Sequence, residues 1–436
     1  MFVTNLALDW FRSYRQLVIS LEPGVNVFLG ANGQGKTNLV EALNYLAVLS
    51  THRAGNDAAL IFRGTPEETP HAGIIRARVS PGITPEPRSD LLEIEIVSGK
   101  ANRAMLNRHK VRPRDLVGHL STVLFAPEDL ELISGDPGVR RSFLDRIALQ
   151  LHPVLAGVQA DLHKTLRQRA AYLRDVARRH EVLDEIQLEI WDDALVPLFA
   201  KVMRSRQDIT LELQQLLPGI YAQIAGQAPH ESETNPNEAT PTAENPATAR
   251  MTYRDNVSKT LGIDASARQI MFADTAVLET QIRAALRSRH LDEARRGVNL
   301  CGTHRDDLEF CLHDFPVKGY ASHGETWSFA LALRLAEFYL LRQRLGDAPV
   351  LLLDDVFAEL DSHRRAAILG AIEAADQVWI TSAVGTELPE DLHAQVFRVV
   401  LNPQRESQVL PQPFDNNPDP SETITPFGRQ DSDDTD

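Results

Sequence analysis

Cysteine is nearly absent from this chain of 436 residues. The two present, Cys301 and Cys311, give no disulfide framework, which fits a reducing cytoplasm. Long apolar runs are missing as well. The longest, such as Val350 to Leu353, have strand length, far short of the roughly 20 residues a membrane helix needs. Asp9, Arg12 and Arg15 stand where a signal peptide requires an apolar core, so secretion is not expected. A basic excess is also lacking. The formal net charge of −15 taken alone speaks against nucleic acid, but it is unevenly spread. Eight acids lie from Arg405 onward against two arginines, and Gln227 to Arg250 adds Glu231, Glu233, Glu238 and Glu244. Both stretches are rich in Pro, Asn, Thr and Ser. Residues 227–250 therefore read as a disordered insert and 401–436 as a disordered acidic tail. Local basic patches carry more information than the total.

Apolar spacing divides what remains into three parts. Leu6 and Leu8, then Leu17, Ile19 and Leu21, alternate around a bend at Phe11 to Tyr14, predicting a hairpin. Pro23-Gly24 turns the chain into an apolar strand, Val25 to Leu29, and Asn38 to Leu49 follows as a helix. From about Arg140 the period lengthens. Leu151, Leu155, Val158, Leu162, Leu166, Leu173 and Val176 fall at helical steps, and a second helical stretch runs from Leu183 to Leu217, interrupted by Pro197. A third spans Ala276 to Arg296. The expected fold is α/β, with a head split between 1–140 and 297–400. A mainly helical, short coiled-coil-like insertion over 141–296 separates the two parts.

The first chemical motif is Gly30-Ala31-Asn32-Gly33-Gln34-Gly35-Lys36-Thr37, placed between a strand and a helix. It fits the P-loop pattern, in which glycines let backbone N–H groups wrap phosphate oxygens at a helix N-terminus. The expected cofactor-binding residues are Gly30, Asn32, Gly33, Gly35, Lys36, Thr37 and Asn38. Lys36 would reach the β- and γ-phosphates and Thr37 would hold Mg²⁺. Val350 to Asp355 resembles a Walker B strand ending in two carboxylates. Asp354 is assigned to Mg²⁺, and Asp355 to polarising the attacking water. Aspartate is one methylene shorter than the glutamate many relatives use, which points to slow ATP hydrolysis. Glu128 is a third candidate on the metal side.

Ser322-His323-Gly324-Glu325 precedes an apolar helix and resembles the S-x-G-[QE] signature of ABC ATPases. There a serine and a helix N-terminus face nucleotide held by the other subunit. Ser322 joins Lys36 and Asp355 as catalytic candidates, with Gly324 and Glu325 on the nucleotide side. Glu359-Leu360-Asp361 resembles the D-loop, and Thr381 or Ser382 occupies the switch position. The order P-loop, helical insertion, signature, Walker B, D-loop describes an ABC-type head that closes on ATP as a dimer.

Further phrases resemble the RecF family of recombination mediators. They are Phe11-Arg12-Ser13-Tyr14, Pro23-Gly24-Val25-Asn26, Phe125-Ala126-Pro127-Glu128-Asp129-Leu130 with Arg140-Arg141, and His304-Arg305-Asp306-Asp307-Leu308. Where that family usually carries a proline before the histidine, this chain has Thr303. The resemblance implies a cytoplasmic, nucleoid-associated protein of replication and recombinational repair. It implies ATP and Mg²⁺, an ATP-dependent homodimer, double-stranded or gapped DNA, RecO- and RecR-type partners and no membrane. It also implies a slow, DNA-stimulated ATPase, with a non-hydrolysing, ATP-switched DNA clamp or another SMC-like ATPase as the alternative. Arginines on the middle helices (Arg167, Arg169, Arg174, Arg178, Arg179, Arg204, Arg206, Arg283, Arg287, Arg289, Arg295 and Arg296) offer a phosphate-tracking surface. The spacing of Cys301, His304, Cys311 and His313 matches no usual zinc arrangement.

Overall fold

A computed structural model describes residues 1–51, 56–62, 70–82, 89–179, 184–226, 249–357, 361–383 and 393–412. The N-terminal hairpin is there, as β1 (Phe2–Phe11) and β2 (Tyr14–Ser20) paired antiparallel. Next come β3 (Gly24–Leu29), α1 (Lys36–Val48), β4 (Ala72–Ser80), β5 (Asp90–Val97), β6 (Arg103–Leu106) and β7 (His109–Val111). An antiparallel sheet in the order β2-β1-β4-β5-β6-β7 results. Its inward residues alternate, as Leu92, Ile94 and Ile96 do on β5, so one face is apolar and packs against α1.

The second sheet carries the chemistry. Its strands are β8 (Thr122–Phe125), β12 (Val350–Asp354), β13 (Gln377–Ser382), β3 and, at one side, β14 (Ala394–Leu401) with β15 (Ser407–Gln412). From β8 through β14 neighbours run parallel, and β15 closes the edge antiparallel. Strands covered on both faces read as continuous apolar runs, and every residue of β8, β12 and β13 is buried. Packed on this sheet are α1 and the long signature helix.

Between the halves of the head the chain forms α2 (Leu130–Ser134), α3 (Pro137–Leu151), α4 (Leu155–Arg179) and α5 (Glu185–Ile224). It continues as β9 (Ala249–Arg254), α6 (Asn256–Leu261), α7 (Ala265–Ala273) and α8 (Thr275–Arg296). Then come β10 (Asp307–Leu312), β11 (Phe315–Pro316), α9 (Val317–Tyr320), α10 (His323–Leu345) and, after β12, α11 (Ser362–Ala374). No helix among the described residues is long and apolar enough to cross a membrane.

Three expectations need correction. Pro197 does not interrupt the second middle helix, because α5 runs through it for 40 residues, about 60 Å at 1.5 Å per residue. Leu195, Val196, Phe199 and Ala200 are all buried on either side, and that packing offsets the missing N–H. The insert expected to extend to residue 250 ends earlier, since Ala249 and Arg250 begin β9, which pairs with β10. The tail expected from 401 starts inside β14, and Ser407 to Gln412 form β15. Val399 and Val409 pair across these strands, so two apolar residues gave this stretch a place that its polar composition concealed.

Candidate nucleotide site

Strand β3 ends at Leu29, and the loop from Gly30 turns the chain back into α1. The loop is tight because its glycines are unencumbered. A Cβ on Gly30 would stand 2.2 Å from the carbonyl oxygen of Val399. Gly35, at φ 102°, would clash with Ser407 Oγ at 2.3 Å and Ser13 Oγ at 2.7 Å. As α1 begins at Lys36, the N–H groups of Lys36 and Thr37 at the mouth of the loop's concavity have no intrahelical acceptor, while Asn38 N donates to Gly35 O at 3.1 Å. Lys36 Nζ folds over that concavity, donating to Gly30 O at 2.7 Å and reaching Asn32 Oδ1 at 3.5 Å. A cradle of N–H groups with a lysine over it fits a phosphate chain.

Parallel pairing of β12 with β13 brings the two carboxylates to the same place. Thr37 Oγ1 donates to Asp354 Oδ1 at 3.1 Å, and Thr381 Oγ1 donates to the same oxygen at 2.6 Å. Burial, reinforced by the charges of Asp355 and Glu128, pushes the Asp354 carboxyl up to about 6. Asp355 sits at φ 51°, its N–H held by Thr381 Oγ1 at 3.0 Å and its carboxylate 4.0 Å from Lys36 Nζ. A hydroxyl beside clustered carboxylates is a donor set suited to a hard divalent cation such as Mg²⁺. Of the two switch candidates, Thr381 touches this cluster through its side chain. Ser382 meets the loop through its carbonyl, which accepts from Gly30 N at 3.3 Å.

The remaining candidates gather elsewhere. Ser322 caps α10 in a reciprocal box, its hydroxyl accepting from Glu325 N at 3.3 Å while Glu325 accepts from Ser322 N at 2.7 Å. Ser322 and Glu325 are exposed. Gly324 is held through its carbonyl by Arg364 Nη2 at 2.8 Å, and the Arg364 guanidinium also pairs with Asp361 at 3.1 Å. The signature turn and Asp361, the last residue of the D-loop stretch, are thus tied together through Arg364. Glu359 and Leu360 lie outside the described residues. Asn38 does not face the loop cavity; its amide donates to Ser13 Oγ at 2.8 Å.

Sequence reasoning missed the supports. Ser407 Oγ lies 2.7 Å from the carbonyl of Gln34 and 2.6 Å from Ser13 Oγ, and Tyr14 donates to Gly35 O at 3.1 Å. Ser13 and Tyr14 were visible as part of a phrase, without a role. Ser407 carried no signal at all. Asp129, next to Glu128, accepts from Arg334 of α10 at 2.7 and 3.0 Å, joining the signature helix to the metal-side stretch. The arginine surface also shrinks. Arg169 is fully buried against Glu293 and Asp192, and Arg206 is buried against Asp145 and Asp306. Arg283 pairs with Asp193 and Arg287 with Glu189. Arg167, Arg174, Arg178, Arg295 and Arg296 are exposed. Cys301 belongs to an apolar cluster.

A phosphate cradle and a pair of strand-end carboxylates meet at the C-terminal edge of a mixed sheet, with a capped signature helix behind them, and that is the head of an ABC-type P-loop ATPase. Residues 2–407 match the family model described as RecF/RecN/SMC N terminal domain. The chain is 41% identical over 408 residues to the DNA replication and repair protein RecF of Beutenbergia cavernae, covering 90% of this chain and 96% of that one. Against the RecF of Streptomyces avermitilis it is 44% identical over 395 residues, 89% and 95% of the two chains. The chain belongs to the RecF family of DNA replication and repair proteins. Its fold is similar to that of a recombination mediator RecF solved with ATP in the RecFOR pathway. That likeness has a TM-score of 0.76 at 22% identity and covers 94% of this chain and 97% of the other.

Proposed function

We propose that this protein is an ATP-dependent DNA-binding ATPase of replication and recombinational repair, whose ATP-bound form is a head-to-head homodimer. The observation that carries the reading is a division of labour. Lys36, Thr37, Asp354 and Asp355 converge on one cradle, while Ser322 stands exposed at the start of α10, bonded to its own cap. A serine so placed completes a nucleotide site only when a second copy presents it. Lys36 binds the β- and γ-phosphates, and the N–H groups of the loop hold the rest of the chain. Bound Mg²⁺ supplies positive charge at the phosphates, with Thr37 and Asp354 as its holders and Glu128 beyond them. Asp355 orients water and takes its proton, at a rate limited by its short side chain and its proximity to Lys36. DNA contact falls to the exposed arginines of α4 and α8, which meet duplex backbone without reading sequence. Partners of the RecO and RecR type and the loading of a recombinase follow from the family, and support comes from the relative solved in the RecFOR pathway.

Solution mass with and without ATP and Mg²⁺ tests this, comparing wild type with Lys36→Met and Ser322→Arg. Dimerisation of the wild type alone is the expected outcome. A mass that never changes with ATP overturns the dimer. The second reading, a switch that binds ATP without needing turnover, is favoured by aspartate at 355, and Asp355→Asn separates the two. Repair function that survives without hydrolysis selects the switch.

A further inference from the structure

A second cleft, which shares no lining residue with the P-loop cluster, lies where the helical insertion meets the head. It encloses about 560 Å³ between α3, α4, the end of α1 and the turn at Thr303-His304. Gly138, Arg141, Ser142, Asp145, Arg146 and Leu149 all line it, the spacing of one face of α3. Its charge is one-sided. Arg114, Arg141, Arg146 and Arg206 face it, with Asp145 as the acid among its lining residues, and Arg206 takes both oxygens of Asp145 at 2.9 Å. Arg141 donates to the carbonyl of Asp306 at 2.7 Å, which neutralises no charge. Arg114 and Arg146 donate no hydrogen bond within the described residues, although both are half-buried. Burial and the nearby Arg334 hold the Arg146 guanidinium down to about 10 against the opposing charges of Glu337 and Asp129, and burial with Arg206 lowers Arg141 against Asp306, Asp307 and Asp145. His304 adds a buried Nδ1 without a partner.

A half-buried guanidinium that hydrogen-bonds no carboxylate is costly unless an anion completes it, and arginine forks match phosphate oxygens. We propose that this cleft is a binding site for a phosphate group, held by Arg114, Arg141 and Arg146 and separate from the P-loop. The group arrives either as free phosphate or as the terminal phosphate of a DNA strand. Either source presents the same tetrahedral dianion, and 560 Å³ admits it with room for a sugar behind. The site does not depend on the nucleotide reading, because none of its arginines touches the P-loop cluster described above.

The test keeps the P-loop saturated with ADP in the absence of Mg²⁺ and follows thermal unfolding as inorganic phosphate replaces chloride at constant ionic strength. The wild type is expected to shift upward by a few degrees as phosphate rises past its dissociation constant, and Arg114→Gln/Arg146→Gln to lose most of that shift. Arg114→Gln alone, at the cleft rim, should lose it in part and serves if the double variant fails to fold, circular dichroism and ADP affinity certifying each protein. In parallel, binding of duplexes with a recessed end is compared with the terminus phosphorylated or bare. A preference of about tenfold for the phosphorylated end that vanishes in the variants establishes the DNA terminus as the source. A phosphate response without that preference establishes the free anion. If wild type and variants respond alike in both measurements, or if none responds, the site does not exist.

Discussion

At the scale of single residues, the nucleotide site is decided by which side chains hold the loop as much as by which would touch phosphate. Ser407 is nearly inaccessible, and its hydroxyl joins Ser13 to the carbonyl of Gln34. Ser407→Ala leaves both without that partner, at a cost of about 1–3 kcal/mol. The expected outcome, read by calorimetric titration, is ATP affinity reduced about fivefold or more with Lys36 intact. Unchanged affinity would show that the loop holds its shape alone. Asp355→Asn keeps the size and the backbone hydrogen bond from its N–H, so ATP should still bind. Single-turnover hydrolysis should fall by a factor of about 10² or more, the loss expected when a proton acceptor is removed. The motif residues could be named from the sequence because each belongs to a contiguous pattern. Ser407 could not, since its partners are more than 370 positions away.

At the scale of elements, the insertion is held together by buried charge. Arg169 of α4 bonds Glu293 of α8 at 2.7 Å and Asn299 at 2.9 Å, and reaches Asp192 of α5 at 3.4 Å. Glu293 in turn accepts from Leu300 N, and His290 bonds Asp192. Arg169→Met would strand two buried carboxylates and should cost about 3–5 kcal/mol, measured by urea unfolding followed through helical circular dichroism. Arg174→Met, one turn and a residue further along α4 on the exposed side, should cost less than about 0.5 kcal/mol. Equal losses would mean that Arg169 is solvated. Helical period alone could place both arginines on α4, yet it could not tell which faced solvent, because the acids that claim Arg169 come from two other helices. The same limit applies to Pro197. Its local effect favours a break, and only the packing of its neighbours overrides it.

At the scale of the whole molecule, stability should depend on pH through His304. Burial, with Arg305 and Arg141 nearby, lowers its imidazole to about 4, and the contact with the Asn299 carbonyl and the charge of Glu293 oppose them only in part. Its ordinary value is 6.5, so between pH 6.5 and 4 the unfolded chain binds the proton and the folded chain does not. Stability therefore falls as pH drops through that window, by about 2 kcal/mol at pH 5 from this group. Urea midpoints at pH 7 and pH 5 should converge for wild type and His304→Gln as the pH is lowered, the wild type losing more; parallel losses would place the histidine in solvent. DNA binding belongs to the same scale. Charge reversal of Arg174, Arg178 and Arg295 together should reduce duplex affinity at least tenfold at low salt and flatten its salt dependence. Affinity that does not move would shift the DNA surface elsewhere.

The sequence by itself determined the class and the chemistry: a strand, a glycine loop, a lysine and a helix in order, and two acids closing a buried apolar strand. Those features are local, written within a few residues, and backbone sterics and strand alternation fix their meaning wherever they occur. Tertiary structure decided the rest. It set Thr37 and Thr381 on one oxygen of Asp354, brought Ser407 under the P-loop, and turned Arg169 and Arg206 inward. Each of these joins residues far apart in the chain, and no short-range period encodes which of many chemically suitable partners a buried polar group will meet.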